Sequence, residues 1–343
     1  MNRTTLHIVH IFAFGAVWVG LSAPAHATED RLTLSLPVQC ELGTTCWIPN
    51  YVDHKPGKGV LDYTCGDATY DATPGGRHKG TDFAVRSMTA VQKGVPVVAA
   101  ASGVVLGMRD GVADVFYDKT QKSARNVQNK ECGNGVRLQH DNGLVTQYCH
   151  MRKGSVLVRS GDRVEREQRL GFVGVSGKAA FAHLHFQVEK NKAVIDPFTG
   201  EARQVPCGVG ESPLWDAQTL AQLPYQPTAI FHAGFSAQKP DRHSIRQGLY
   251  DTATLPATAP AMVLWAEMFR VRAGDEIVMK ITNPSGQKIH EQRLSLTKNQ
   301  AYYYAFSGLR LKTRTWPLGT YGGEIKLLRK DEVFSATHTV EVR

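Results

Sequence analysis

Short apolar runs separated by turn-forming residues make up the sequence between residues 94 and 188. Short runs with period-two alternation favour antiparallel strands over helices, which need longer stretches with apolar residues every three or four positions. The clearest example is a hairpin, in which residues 136–138 alternate, residues 141–143 (Asp-Asn-Gly) tolerate positive φ, and residues 144–149 return as a second strand. We therefore predict an all-β fold with an antiparallel sheet in this part of the chain.

A second β pattern follows a proline-rich stretch. Periodicity fades between residues 205 and 228, where prolines accumulate, and this change predicts a domain boundary or linker. Beyond it, apolar segments spaced by Gly, Pro and Asn turns predict strands at residues 262–271, 276–282, 289–296, 301–306, 321–328 and 336–342. That spacing is typical of a small sandwich of immunoglobulin-like type.

The start of the chain has the pattern of an export signal. Arg3 supplies a positive start, residues 8–21 form an apolar middle, and residues 25–27 (Ala-His-Ala) provide a small-x-small cleavage site. The alternative is a membrane anchor, but the apolar run is shorter than the roughly 20 residues that a spanning helix needs. We therefore expect cleavage, no stable membrane span afterwards, and a location in the periplasm or at the cell surface of a bacterium.

The chain is basic. Its net charge is +9, and removal of Arg3 with the signal changes it from +9 to +8. A basic protein is attracted to polyanions, and for an exported bacterial protein the wall and the outer leaflet are candidates. The basic residues are dispersed and do not cluster with aromatic residues, so no nucleic-acid partner is predicted.

The six cysteines remain after the predicted cleavage, an even number in a chain that we expect to enter an oxidising compartment. Disulfides are therefore preferred, and the absence of a Cys-x-x-Cys pair argues against a cysteine zinc site or a thioredoxin-like redox centre. Cys40 with Cys46 would close a short local loop, and Cys132 with Cys149 would pin the two arms of the hairpin. The sequence does not decide among the many pairings.

Two short segments bring three histidines and a carboxylate. Residues 77–83 read Arg-His-Lys-Gly-Thr-Asp-Phe and residues 182–186 read Ala-His-Leu-His-Phe, and imidazole and carboxylate groups are good zinc ligands. Apolar Leu184 alternates with His183 and His185, so a strand's period of two puts both histidines on one face. One of them suffices as a ligand, and its neighbour would lie beside a bound substrate, placed to exchange a proton or to donate to an oxyanion.

His78 and Asp82 are four residues apart, a spacing that shares a face on a helix. Gly80 and the Pro-Gly-Gly at 74–76 instead favour a turn leading into a strand, and Gly80 would let the backbone pass close to a metal. His150 ends the strand that follows the hairpin turn and has no obvious structural duty. Each histidine alone is more often a surface or hydrogen-bonded core residue, but their joint spacing favours a site.

These segments together resemble the lysostaphin-type or LytM-like zinc endopeptidases, family twenty-three of the metallopeptidases. The resemblance covers residues 78–198, including the hairpin and the segment at 158–177. It rests on three motifs, which read His78-Lys79-Gly80-Thr81-Asp82, Tyr148-Cys149-His150 and His183-Leu184-His185-Phe186.

The resemblance implies one Zn²⁺ per chain, held by His78, Asp82 and His185, with His150 and His183 as catalytic histidines that are not ligands. Three protein ligands leave a fourth position for water, whose pKa zinc lowers toward about 7. The implied reaction is hydrolysis of peptide cross-links in bacterial peptidoglycan. The two catalytic histidines would orient or deprotonate the water, stabilise the oxyanion and protonate the leaving amine. Which histidine does which stays open.

The predicted organisation has five segments, namely a signal peptide at 1–27, an N-terminal extension at 28–77, a LytM-like core with an open groove at 78–205, a linker at 206–227 and a C-terminal β-sandwich at 228–343. The implied partners are peptidoglycan peptide stems, and the sandwich would serve for positioning or for contact with a cell-wall protein. The alternative is a catalytically idle LytM-like regulator that activates cell-wall amidases or binds the wall. The intact set of five site residues argues against it. The D-alanine to diaminopimelate cross-link is one target that the resemblance implies, with glycine bridges or a protein substrate left open.

Three further features carry weaker expectations. In this family a tyrosine upstream of the first ligand often lies near the oxyanion, but residues 73–77 separate Tyr70 from His78 and weaken that assignment. We expect His54 to be an exposed loop histidine. Residues 302–304 (Tyr-Tyr-Tyr) could stack on sugar rings, but alternation in a strand predicts at least one of them in the core.

Overall fold

The computed structural model describes residue 1 and residues 32–73, 76–118, 127–202 and 206–343. Apart from Met1, the predicted signal peptide at 1–27 therefore lies outside the described residues. Residues 32–343 pack as one compact unit. Within the described ranges, no helix is both long enough and apolar enough to cross a membrane.

Strands dominate the described residues, and the helices among them are short. The strands are β1 (Cys46–Asn50), β2 (Asp71–Thr73), β3 (Gly76–Arg77), β4 (Thr81–Val85), β5 (Pro96–Val98), β6 (Gly103–Arg109), β7 (Asn134–Gln139), β8 (Leu144–Met151), β9 (Arg163–Val164), β10 (Arg169–Phe172), β11 (His183–Lys190), β12 (Ala193–Ile195), β13 (Ala229–Ser236), β14 (Thr254–Leu255), β15 (Ala261–Val271), β16 (Glu276–Thr282), β17 (Lys288–Ser295), β18 (Gln300–Arg310), β19 (Gly319–Arg329) and β20 (Glu332–Val342). The helices are α1 (Met88–Lys93), α2 (Ala217–Ala221) and α3 (Arg242–Gln247).

The predicted antiparallel sheet is present and combines strands from distant parts of the sequence. Its order is β1-β4-β11-β8-β7-β6-β9, with β12 also paired to β11. β7 and β8 form the predicted hairpin, whose turn contains Gly143 at a φ of 80°. β4 and β11, which carry the two histidine-rich segments, pair directly with each other. Strand pairing therefore brings both segments to one place on the sheet.

Period-two alternation decides which side of β11 enters the core. Leu184, Phe186 and Val188 have no exposed surface and belong to the first hydrophobic core. Successive side chains of a strand point to opposite faces, so His183 and His185 lie on the other face. Burial of apolar side chains is worth about 25 cal/mol per Å², and it fixes this register, since a slip by one residue would put both histidines in the core.

The C-terminal part consists of two sheets packed around a second core. One sheet has the order β13-β15-β18 and the other β14-β20-β19-β16-β17, with every pairing antiparallel except that of β14 with β20. Phe235, Leu264, Ile277 and Ile325 are fully buried in this core. The six predicted strands are present as β15 to β20, whereas the pattern does not predict β13. The all-β prediction is confirmed, and the immunoglobulin-like class stays a prediction.

The proline-rich stretch between the two parts packs on the first core. Leu214, Trp215 and Leu223 are buried there, and α2 begins after Asp216, whose side chain accepts a hydrogen bond of 2.7 Å from the backbone N–H of Thr219. The segment predicted as an N-terminal extension also contributes, since β1 pairs with β4. The domain limits stay a prediction, but residues on both sides of the predicted core complete its packing.

Disulfides join the cysteines in the pairs Cys40–Cys46, Cys65–Cys207 and Cys132–Cys149. The first and the last are the two pairs that the sequence favours, a short local loop and a pin across the hairpin, and both are confirmed. The remaining pair joins positions 142 residues apart. It ties the segment before β2 to the chain after β12.

Candidate metal centre

Three neighbouring strands place side chains in one row across the sheet. Asn50 on β1 lies opposite Asp82 on β4, and Asp82 lies opposite His185 on β11. Residues directly opposite in antiparallel strands share a face, so these side chains meet above the sheet. His78 precedes β4, and its ring is fixed by a hydrogen bond of 2.7 Å between Nδ1 and the carbonyl oxygen of Tyr51.

The three predicted ligands present their donor atoms to one another. His78 Nε2 lies 3.1 Å from Asp82 Oδ1 and 3.1 Å from His185 Nδ1, and the latter two atoms are 2.9 Å apart. In a tetrahedral zinc site with bonds of about 2.0–2.1 Å, two ligand atoms lie roughly 3.3 Å apart. The three donor atoms of His78, Asp82 and His185, which we call the triangle, need to move apart only slightly to match that spacing. These residues form a group that could hold a metal ion.

The proton on the His78 ring and the hydrogen bond to Asp82 also favour a cation between the three atoms. The Tyr51 carbonyl can only accept a hydrogen bond, so His78 Nδ1 carries the proton and Nε2 of the neutral ring carries a lone pair. Asp82 Oδ2 accepts a hydrogen bond of 2.8 Å from Asn50 Nδ2, which leaves Oδ1 for the triangle. Acceptor atoms this close repel one another unless a proton or a metal ion lies between them. The residues present therefore fit a divalent ion.

The pKa shifts of the ligand residues show that Asp82 is charged and favours a positive charge beside it, which a proton on His78 or a metal ion can supply. Burial lowers the pKa of His78, but the Asp82 carboxylate outweighs burial and raises the pKa above its ordinary value. Burial raises the pKa of Asp82, but His78 and His183 hold it well below its usual range. Asp82 is therefore a carboxylate near pH 7, the form that binds a metal.

His150 and His183 flank the triangle without joining it. The centroids of their rings are 4.6 Å apart, and His183 Nε2 is 3.6 Å from Asp82 Oδ1. Each Nδ1 atom is 2.8 Å from a backbone carbonyl, that of Ser176 for His150 and that of Phe181 for His183. Both Nδ1 atoms therefore carry the proton, and the Nε2 atoms of the neutral rings carry the lone pairs.

Burial sets the protonation state of these two histidines. It lowers the pKa of His183, and it lowers that of His150 well below the ordinary value with help from the neighbouring His183. Both imidazoles are consequently neutral at pH 7. A neutral imidazole can accept a proton from a substrate or a water molecule and return it later.

The backbone of His150 has a left-handed conformation that surrounding contacts hold in place. Its φ is 63°, which is uncommon for a residue with a side chain. Its N–H donates to the Cys132 carbonyl at 2.8 Å, and the preceding residue, Cys149, is joined to Cys132 by a disulfide. Such conformations persist where neighbouring structure fixes them. The disulfide thus anchors the strand end that carries His150.

Two of the weaker expectations have clear outcomes. Tyr70 lies at the site although residues 73–77 separate it from His78 in the sequence, because its ring stacks on that of His78 with centroids 4.5 Å apart. The expectation that His54 is exposed is wrong, since it is 6% exposed and its Nε2 lies 2.7 Å from Asp196 Oδ2. Polar loop composition at His54 gives no sign of a partner 142 residues away.

Asn50 and Arg270 support Asp82 although no motif marks them. Besides the hydrogen bond of Asn50 to Asp82, Arg270 Nη2 donates to Asn50 Oδ1 at 2.5 Å, and Arg270 Nε donates to the Pro49 carbonyl at 3.3 Å. Groups that hydrogen-bond a metal ligand orient it and tune its basicity. Only the pairing of β1 with β4 could reveal Asn50, and the sequence pattern does not define that pairing.

A cavity of about 390 Å³, which we call the site cavity, opens beside the triangle. Asp82 and His183 lie on one side of it, and Arg246, Arg270 and Tyr302 from the C-terminal part lie on the other. Its volume falls in the range of about 300–1,000 Å³ that is common for small-molecule sites. Residues from both parts of the chain therefore line the space next to the metal centre.

Comparisons with known proteins agree with the resemblance. The model of peptidase family M23 matches residues 76–197, a range that contains all five predicted site residues. Peptidoglycan DD-endopeptidase ShyC of Vibrio cholerae is 30% identical over 135 residues, which cover 39% of this chain and 25% of that protein. Peptidoglycan DD-endopeptidase ShyA of the same organism is 32% identical over 111 residues, which cover 32% of this chain and 20% of that protein. The chain thus matches a quarter or less of the length of these curated relatives.

A solved structure of the catalytic domain of lysostaphin, an antimicrobial peptidase from Staphylococcus simulans, is 27% identical to this chain. The match covers 38% of this chain and 85% of that domain, with a TM-score of 0.26. The five site residues lie together as the sequence predicts. Their individual roles stay a prediction.

Proposed function

We propose that this chain, whose residues 76–197 form a LytM-like peptidase domain of family M23, is a zinc-dependent endopeptidase that hydrolyses peptide cross-links of bacterial peptidoglycan. The observation that carries the proposal is the triangle of His78, Asp82 and His185, whose three donor atoms lie within 3.1 Å of one another. Two neutral imidazoles stand beside it. The peptidoglycan DD-endopeptidases among the relatives support the choice of substrate.

The triangle would hold one Zn²⁺, which when bound lowers the pKa of a coordinated water and polarises the carbonyl group under attack. His78 would bind through the Nε2 lone pair that its fixed tautomer leaves free, His185 through Nδ1, and Asp82 through a charged oxygen. The hydrogen bond that His78 donates to the Tyr51 carbonyl and the one that Asn50 donates to Asp82 hold two of these ligands in place. This fixed geometry means that little reorganisation is needed when a metal ion or a substrate binds.

His150 and His183 would do the proton transfer. Each holds its Nδ1 proton on a backbone carbonyl, so each Nε2 can take a proton from the attacking water and later pass one to the leaving amine. A protonated Nε2 can also donate to the developing oxyanion. Export to the periplasm or cell surface, where the peptide stems are, is part of the same proposal, as is a cell-wall protein as a partner of the C-terminal sandwich.

Three single variants test the assignment of roles. His185→Ala should lose the bound zinc, because a ligand is gone, and should lose activity with it. His150→Ala should keep the zinc but lower kcat by about 10²–10⁴-fold, the usual contribution of a general acid or base. His290→Ala, in β17, removes a histidine from the C-terminal part and should change neither. The measurements are metal content by mass spectrometry and release of fragments from purified walls by chromatography.

The same two measurements, made on the wild type and the variants, distinguish an active enzyme from a catalytically idle regulator. A purified chain that binds zinc, leaves walls intact and stimulates a cell-wall amidase would favour the regulator. Equal digestion of walls by the wild type and by His150→Ala would remove that histidine from the mechanism. Mass spectrometry of the released fragments would identify the bond that is cut.

A further inference from the structure

The charged groups that line the site cavity are unbalanced. Arg246 and Arg270 are positive, and Asp82 is an acid that lines the same cavity, but its carboxylate already belongs to the metal centre. A cavity lined mostly by one sign of charge attracts ligands of the opposite sign. The cavity beside the metal centre therefore fits an anionic group.

Arg246 is a cation of this cavity with an unused hydrogen-bond donor. It lies on α3, its guanidinium stacks 4.5 Å from the centroid of the Tyr302 ring, and its Nη1 donates to the Ala180 carbonyl at 2.6 Å. Its Nε is buried and meets no acceptor among the described residues. The edge formed by Nε and Nη2 is the side of a guanidinium that binds a carboxylate through two parallel hydrogen bonds.

The acid whose charge acts on Arg246 makes its own hydrogen bonds to other groups. Glu267, which acts on Arg246 electrostatically, is engaged by the Tyr302 hydroxyl at Oε1 and by His232 Nδ1 at Oε2, the latter at 3.1 Å. A half-buried guanidinium with an unused donor is stabilised when an anion binds to it. Arg270, by contrast, donates hydrogen bonds to the Pro49 carbonyl and to Asn50 Oδ1.

We propose that Arg246 is a specificity-determining residue that binds a free carboxylate of the substrate peptide in the site cavity, next to the scissile bond. The inference rests on the proposed function and names the class of substrate as peptides with a carboxylate near the bond that is cut. The C-terminal part then contributes directly to substrate recognition, because α3 and Tyr302 supply the wall that holds this guanidinium.

A structural role for Arg246 predicts a different result. Its hydrogen bond to Ala180 braces the segment that leads into His183, so a substitution could slow the reaction with every substrate alike. Recognition of a carboxylate instead makes the effect depend on the substrate. A pair of substrates that differ only in their carboxylates separates the two roles.

The experiment uses full-length protein loaded with zinc and a cross-linked stem-peptide dimer released from purified walls. The second substrate is the same dimer with its carboxyl groups converted to methylamides. The wild type should prefer the acid form by about 10–100-fold in kcat/KM, the usual range for a hydrogen-bonded charge pair. Arg246→Gln should remove that preference, because cleavage of the acid form slows more than cleavage of the methylamide. Arg242→Gln is the matched control, since Arg242 lies on the same helix and also stacks on Tyr302 but does not line the cavity.

Binding measured with the His150→Ala variant separates this proposal from the proposed function, since His150 does not line the cavity. Calorimetry should show tighter binding of the acid dimer than of the methylamide, and Arg246→Gln in the same background should abolish the difference. Selective binding without any wall digestion by the wild type would overturn the endopeptidase and keep the subsite. Digestion without preference for the acid, or an equal loss for both substrates in Arg246→Gln, would overturn the subsite.

Discussion

Gly80 lies where the backbone passes the ring of a ligand. A Cβ atom at this position would lie 2.4 Å from the Phe186 carbonyl oxygen and 2.7 Å from His185 Nε2. Real Cβ atoms do not approach other atoms so closely, so any side chain here has to displace β11 or the ring of His185. The sequence predicts close backbone approach at Gly80, and the geometry agrees.

Gly80→Ala should therefore lower the affinity for zinc and destabilise the protein by about 1–3 kcal/mol, the usual effect of overpacking. The matched control is Gly107→Ala on β6, where a Cβ atom would meet nothing within 4 Å. Zinc affinity by chelator competition and thermal unfolding would check both variants. If Gly80→Ala bound zinc as tightly as Gly107→Ala, the tight contact with His185 would have no bearing on the metal centre.

At the scale of single residues, the sequence predicts those whose spacing along the chain reflects their chemistry. His183 and His185 alternate on a strand, and His78 and Asp82 flank a glycine, so local pattern is enough to find them. His54 is different, because what buries it is Asp196, far away in the sequence. A contact made only by tertiary packing leaves no trace in local composition.

Among the elements, β13 shows why the sequence pattern fails to predict some strands. His232 is buried at its centre, 5% exposed, and a polar residue at a buried position breaks the apolar alternation that marks a strand. Its burial is compensated by two carboxylates, with Nε2 2.8 Å from Asp251 Oδ1 and Nδ1 3.1 Å from Glu267 Oε2. The sequence predicts β15 to β20 from apolar segments spaced by turn residues, but it does not predict the short β14.

His232 should make the stability of the protein depend on pH. Burial lowers its pKa, but the hydrogen bonds to Asp251 and Glu267 outweigh burial and raise the pKa above the ordinary value. A raised pKa in the folded state adds stability that is fully present below the unfolded value of about 6.5 and is lost as the pH rises through the folded value. Denaturant unfolding of the wild type and of His232→Gln should differ most at pH 6 and less at pH 9.

The control for this prediction is His243→Gln, which changes an exposed histidine on α3 and should leave the curve of stability against pH unchanged. Zinc is kept saturating throughout, so that metal release does not contribute. A difference between wild type and His232→Gln that stays constant from pH 6 to pH 9 would mean that His232 does not change its charge in this range.

At the scale of the whole molecule, the C-terminal part reaches the metal centre through Arg270. This residue lies on β15 and bonds to Asn50, which in turn holds Asp82. These two consecutive hydrogen bonds join two parts that the sequence pattern predicts as separate segments. Arg272, two residues further on, makes an ion pair with Asp67 across the same boundary at 2.7 Å.

Arg270→Gln should weaken zinc binding by up to about 10-fold, the low end of the effect of removing a group that orients a metal ligand, because Arg270 acts on Asp82 through Asn50. Arg272→Gln is the matched control. Its side chain is 40% exposed and that of Asp67 is 44% exposed, so the pair is worth about 1 kcal/mol or less and does not touch a ligand. Titration with a competing chelator measures both affinities. Equal affinities for the two variants would show that the metal centre does not depend on contact with the C-terminal part.

The Cys65–Cys207 disulfide closes the backbone into a ring that contains all five residues of the candidate site. A protease that makes a single cut anywhere inside this ring frees no fragment, because the two ends remain covalently joined. Nicked protein would therefore migrate as an intact chain under non-reducing conditions and separate only after a reductant is added. One broken bond inside the ring would therefore leave all five site residues on chain segments that are still covalently joined.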